Sequence, residues 1–193
     1  AVCLSGELRT FEKTYKNIRN HLFIPFKADG FACIRGGSQS SNEFVQQNIP
    51  EIKKIVHIPF KNTAPTHCAF HKFFRLYPIL ESISCSFKAM TTFERENNTM
   101  YSWVMRARFD IEYQGIIQLP KHNNVSLIGL NYERFSPSMM ICDQFFISPR
   151  QNAYMTMNQH NAYKYCDKFT NFYNHTFCNV LDKSDTECFL LRR

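Results

Sequence analysis

Apolar positions recur along this chain in two rhythms. "AVCL" at the start, "GFACI" over 30–34 and "KIVHIPF" over 54–60 are short, nearly continuous apolar runs, the pattern of strands buried on both faces. Between the first two, Phe11, Tyr15, Ile18 and Leu22 recur at spacings of four, three and four, which is the stripe of an amphipathic helix. "SNEFVQQN" predicts a further helix before the third strand. Strand and helix alternating at this spacing predict an α/β fold with a mostly parallel central sheet flanked by helices.

Beyond the third strand, residues 64–97 read as a long helical region that Pro78 is expected to kink or break. "WVMRARFDIEY" (103–113) follows, then shorter strands at "SLIGL" and "DQFFIS". A helix opens at "SPRQNAYMTMNQH" with Pro149 in its first turn, and in the final "SDTECFLLRR" Ser184 and Glu187 match a capping box. No low-complexity linker or internal repeat divides the 193 residues, so a single domain is expected. The start directly on a strand fits a domain cut from a longer chain.

Composition changes this picture in three places. Nineteen Phe and 9 Tyr within a 44% hydrophobic chain describe a folded protein. An excess of 23 Lys+Arg over 16 Asp+Glu gives a formal charge of +7 and favours an anionic partner. The basic residues form no run of five or more, which counts against a nucleic-acid arm or a polybasic membrane anchor. No apolar stretch approaches the roughly 18 to 20 residues that span a bilayer. Eight cysteines sit inside apolar patterns without a CxxC pair, predicting mostly reduced core thiols and a cytoplasmic protein. Glycosylation sequons at Asn97, Asn124 and Asn174 point the other way.

Within "WVMRARFDIEY", an extended chain would put Trp103, Met105, Ala107, Phe109, Ile111 and Tyr113 on one side and Arg106, Arg108, Asp110 and Glu112 on the other. A half-buried strand with a solvated charged face gives the same pattern. In an open α/β sheet, however, ligands bind beyond the carboxyl ends of the strands. Three groups are expected there: Ser5, Gly6 and Arg9 after the first strand, Asp110 and Glu112 at the end of the charged strand, and Asp143 and Gln144 in "CDQFFIS". Two carboxylates at i and i+2 can hold a hard divalent cation that takes its other ligands from a diphosphate. Arg106 and Arg108 could place positive charge beside that diphosphate or hold the carboxylates.

Other constellations are weaker. His67 and His71 share a helix face with Cys68 beside them, but no third zinc ligand or HExxH glutamate lies near in sequence. No GxSxG, GxxxxGK[ST] or GxGxxG motif occurs. Tyr132, Phe135, Met139 and Met140 form either a loop packed on the core or an acceptor-side flap.

"AVCLSGELRTFEKTYKNI", "WVMRARFDIEY" and "CDQFFIS" together resemble the GT-A-fold nucleotide-sugar glycosyltransferases of large algal viruses, the chlorella viruses among them. The order of motifs fits along nearly the whole chain, and these three stretches carry the likeness. In that family an acidic DxD motif binds Mn2+ or Mg2+ together with the donor diphosphate. The resemblance implies that Asp110 is the first acid of the motif, with Glu112 where a second Asp is common, so that the longer Glu112 side chain could reach ribose or water instead of the metal. It implies donor contacts by Ser5, Gly6 and Arg9, and it makes Asp143 the candidate to position or deprotonate the acceptor hydroxyl. The expected activity is metal-dependent transfer of a hexosyl or deoxyhexosyl group from a UDP-sugar to a glycan hydroxyl, in the host cytoplasm. A metal-dependent nucleotide diphosphate hydrolase and an RNA-binding module stacking bases on aromatics are the rival expectations. Sugar, acceptor, stereochemistry and oligomeric state depend on pocket and surface shape, which spacing does not encode.

Overall fold

The computed structural model describes residues 1–60, 73–115, 117–119 and 145–158. Five strands, β1 (Val2–Gly6), β2 (Gly30–Arg35), β3 (Ile52–Ile58), β4 (Trp103–Ala107) and β5 (Phe145–Pro149), form one sheet in the order β3-β2-β1-β4-β5. β1 pairs parallel with both β2 and β4, and β2 parallel with β3, whereas β5 runs antiparallel along β4. The expected α/β class with a mostly parallel sheet is therefore present.

Helices cover both faces, which is why the inner strands read as continuous apolar runs. On one face Cys3, Phe31, Val104 and Phe146 pack against Leu80, Ile83, Phe87 and Met90 of α3 (Phe73–Glu96) and Ala153 and Met157 of α4 (Arg150–Met157). On the other, Val2, Leu4, Ala32, Ile34, Met105 and Ile147 meet Phe11 and Ile18 of α1 (Phe11–Ile18), Leu22 and Phe23, and Val45 of α2 (Gln39–Asn48). The helical stripe is continued past Ile18 by a π-helical turn, Arg19–Phe23, which brings Leu22 and Phe23 into the same core. α3 runs through Pro78 instead of ending there. Proline lacks an N–H, but its carbonyl is used twice, accepting from Arg35 Nη2 at 2.9 Å and from Ser82 Oγ at 2.8 Å.

Two expectations are corrected. The charged stretch is not one long strand with a wet face: β4 ends at Ala107, and Arg108–Asp110 form a turn. Because β4 lies between β1 and β5 with helices on both faces, Arg106 is buried at 2% exposure. Nor do the described cysteines follow the expectation of mostly reduced thiols, since two of the three, Cys33 and Cys85, are bonded to each other. Strand alternation puts Cys33 on the α3 face, its Cα 5.8 Å from that of Cys85 on α3, and the two form a disulfide. An apolar sequence context cannot distinguish this pair from two buried thiols, since both pack as small hydrophobes. Cys3 stays a thiol, pushed up to about 12 by burial.

The expected strand at "SLIGL", the capping box at Ser184 and Glu187, the pair His67 and His71 with Cys68, and the segment with Tyr132, Phe135, Met139 and Met140 lie outside the described residues. So do Cys142, Cys166, Cys178 and Cys188.

Candidate functional site

The chain moves outward from β1 to β2 to β3 and then returns to the other side of β1 as β4. The sheet therefore has a topological switch point between β1 and β4, and the crevice beyond the carboxyl ends of these two strands is where open α/β sheets bind ligands. The carboxyl end of β1 is Ser5 and Gly6; that of β4 is Ala107, followed by Arg108–Asp110. Two of the sequence-predicted groups are thus placed at one end of adjacent strands, joined by the parallel register that sets Leu4 opposite Ala107.

At the β1 end, Gly6 adopts φ +129, a conformation that side chains other than glycine's rarely tolerate, and a Cβ built there would meet no atom within 4 Å. The loop backbone is consequently open to a close approach. Ser5 is fully buried, and its Oγ has no hydrogen-bond partner among the described residues. The loop then enters α1, whose N-cap Thr10 makes no side-chain capping bond, so the positive end of the helix lies at this turn.

The turn after β4 is fixed from α1. Thr14 Oγ1 donates to the Phe109 carbonyl at 2.5 Å, Asn17 Nδ2 donates to the Tyr113 carbonyl at 3.0 Å, and the Tyr113 N–H donates back to Asn17 Oδ1 at 2.6 Å. The Phe11 and Phe109 rings meet edge to face at 5.5 Å. Sequence reading missed this clamp. The available signal was Thr14, a polar residue three after Phe11 and four before Ile18, on the apolar face of α1.

Asp110 is held in a fork by Arg108, with Nε donating to Oδ1 at 2.8 Å and Nη2 to Oδ2 at 2.6 Å. Burial works to raise the Asp110 pKa, but the hydrogen bonds and charge of Arg108, with a smaller contribution from Arg9, carry it below the ordinary 3.8. Arg9 is exposed and ion-paired with Glu7 at 2.6 Å. Its own pKa is raised first by that hydrogen bond and charge, with Asp110 the smallest contribution. Glu112 is exposed two residues beyond Asp110. Arg106 lies one step deeper and is buried, donating to the Ala107 carbonyl. Asp143 and Gln144 lie outside the described residues.

Among the described residues no three His, Cys, Asp or Glu side chains gather into a metal cage. Asp110 and Glu112 supply hard carboxylate oxygens of the kind that bind Mg2+ or Mn2+ when a diphosphate completes the coordination, a mode needing only one or two protein carboxylates. The donor set fits a cation of that kind provided Arg108 releases Asp110. No described helix is long and apolar enough to cross a membrane. Comparison with known proteins finds no matching family model, no matching curated protein and no matching solved structure, so the functional reading rests on the geometry of this crevice.

Proposed function

We propose that the crevice at the β1/β4 switch point binds a nucleotide diphosphate sugar with Mn2+ or Mg2+ and that the chain is a GT-A-type glycosyltransferase acting on a glycan hydroxyl. The observation that carries this reading is the placement of an open, glycine-turned loop after β1 and the turn that carries Asp110 after β4 at the same end of two adjacent parallel strands. The resemblance of the stretches around Ser5, Asp110 and Asp143 to nucleotide-sugar transferases supports the same class.

In this reading Asp110 and Glu112 hold the cation, which neutralises charge on the diphosphate when bound. Arg108 exchanges its carboxylate partner for a phosphate oxygen, since a guanidinium fork fits either anion. Arg9 adds positive charge from the β1 loop, while the Gly6 backbone lets the donor lie close to the strand end. The clamp from Thr14 and Asn17 keeps the acidic turn in place, so little ordering cost is left for donor binding. Asp143 is assigned to the acceptor hydroxyl.

The test is turnover of a UDP-sugar panel with Mn2+, with and without an oligosaccharide acceptor. Transfer of the sugar to the acceptor is expected. Donor hydrolysis that an acceptor neither accelerates nor diverts would replace the transferase by a diphosphate-sugar hydrolase at the same site, and no turnover or binding of any donor would remove both.

A further inference from the structure

The turn that follows α3 reads Asn97-Asn98-Thr99, an N-glycosylation sequon, and all three residues are exposed. Asn98 takes φ +49 and the Thr99 N–H donates to the Glu94 carbonyl at 3.0 Å, so the helix ends here in a tight left-handed turn that lifts the sequon onto the surface. The Asn97 amide Nδ2 donates to the Phe93 carbonyl of its own helix at 2.9 Å. β4 begins just beyond, at Trp103, so the turn lies at the amino ends of the strands. The ligand crevice is at their carboxyl ends, a full strand length of about 15 Å away. A glycan on Asn97 would leave the crevice uncovered.

The Cys33–Cys85 disulfide is independent of the sequon and bears on the same question. It ties the second strand to α3 across 52 residues of chain. Such a bond persists where the thiol–disulfide poise is oxidising and is rare in a reducing cytosol. Exposed sequon and disulfide have no structural need of each other, and one setting satisfies both: the lumen of a secretory compartment.

We propose that Asn97 is an N-glycan acceptor of a chain that matures in an oxidising, glycosylating lumen, with Cys33–Cys85 closed there. In the first step the two thiols lose two protons and two electrons to the disulfide of a thiol oxidoreductase, which leaves as a dithiol. In the second, Asn97 Nδ2 forms a bond to the anomeric carbon of an oligosaccharide carried on a polyprenyl diphosphate; the sugar–phosphate bond breaks, the amide loses one proton, and the polyprenyl diphosphate departs. This assignment does not depend on the transferase reading and would survive its failure.

The test is production of the 193-residue chain behind a cleavable secretory leader in a glycosylating eukaryotic cell, followed by non-reducing peptide mapping and enzymatic deglycosylation in heavy-oxygen water. The expected result is a Cys33–Cys85 cross-linked peptide together with conversion of Asn97 to a heavy-oxygen-labelled Asp. Thr99→Ala, which keeps Asn97 and removes the sequon, should lose that one glycan. The same chain made in a reducing cytosol should carry alkylatable Cys33 and Cys85 and melt several degrees lower. An unmodified Asn97 in folded secreted chain, free thiols at Cys33 and Cys85 in that chain, or equal melting of the two preparations overturns the proposal.

Discussion

Arg108 and Asp110, two residues apart, close a two-pronged ion pair at the carboxyl end of β4 in which both carboxylate oxygens are engaged. The pair is only partly exposed, and it occupies the carboxylate of Asp110. A cation reaching Asp110 must displace Arg108, and a diphosphate arriving with that cation offers Arg108 a replacement partner.

Arg108→Met should therefore separate two affinities that most site mutations lower together. With Asp110 released, Mn2+ alone is expected to bind more tightly than to the parent chain. The Mn2+–UDP complex is expected to bind at least about tenfold more weakly, about 1.4 kcal/mol, because the phosphate has lost its fork. Titration calorimetry of both ligands on both chains checks this; parallel changes in the two affinities would mean that Arg108 only shapes the turn.

The same pair sets a pH dependence. The Asp110 pKa is lowered in the folded chain, where burial opposes ionisation but Arg108 outweighs it. A group whose folded pKa is depressed contributes stability that is complete above its unfolded pKa and lost as pH falls through the folded one. Proton competition at Asp110 should thus be absent from neutral pH down to roughly pH 5, above the ordinary carboxylate range. Metal-dependent donor affinity for the parent chain is expected to stay flat over that interval, read by calorimetry at constant ionic strength. A steep loss on the neutral side of pH 5 would place the metal on another group.

Thr14→Val is expected to cost about 1–3 kcal/mol, since it leaves the buried Phe109 carbonyl without its 2.5 Å donor while keeping side-chain volume. Denaturant unfolding measures the loss. If the clamp matters to the site, donor affinity under folding conditions falls as well, whereas Thr14→Ser, which keeps the hydroxyl, retains most of it.

Opening the Cys33–Cys85 disulfide removes a constraint on a loop with a sequence separation of 52. The chain-entropy account assigns such a loop about 4 kcal/mol, and native disulfides generally contribute roughly 2–5 kcal/mol. Cys85→Ser should lower stability by an amount in that range, read by denaturant unfolding.

The inner strands were readable because they are covered on both sides and so write themselves as apolar runs, Val2–Leu4 and Phe31–Ile34; the edge strand β3 is only half-buried at Ile55 and Val56 and was readable from its apolar residues alone. Helix α1 was readable from its stripe, although the π-helical turn at Arg19–Phe23 was not, since one extra residue in a turn leaves an apolar period almost unchanged. Phe109 and Tyr113 are buried and Glu112 is exposed, as the alternating pattern suggested, although β4 ends at Ala107 and these residues lie beyond it; within the strand, alternation assigned Arg106 to a wet face that β4 does not have. That error is one of tertiary context: period two says which residues share a face and not whether the face is covered. Gly6 and Asp110 were legible as candidates; the fork from Arg108 and the clamp from Thr14 and Asn17 were not, because they depend on how the chain turns after Ala107.

Calorimetric titration of UDP with Mn2+ into the parent chain and into Asp110→Ala tests whether Asp110 holds a metal-bound nucleotide diphosphate. Mn2+-dependent UDP binding to the parent and its loss in the variant are expected, with the two chains unfolding at similar denaturant concentrations. UDP affinity in Mn2+ that is unchanged by the substitution, or no binding by the parent chain, would contradict that role.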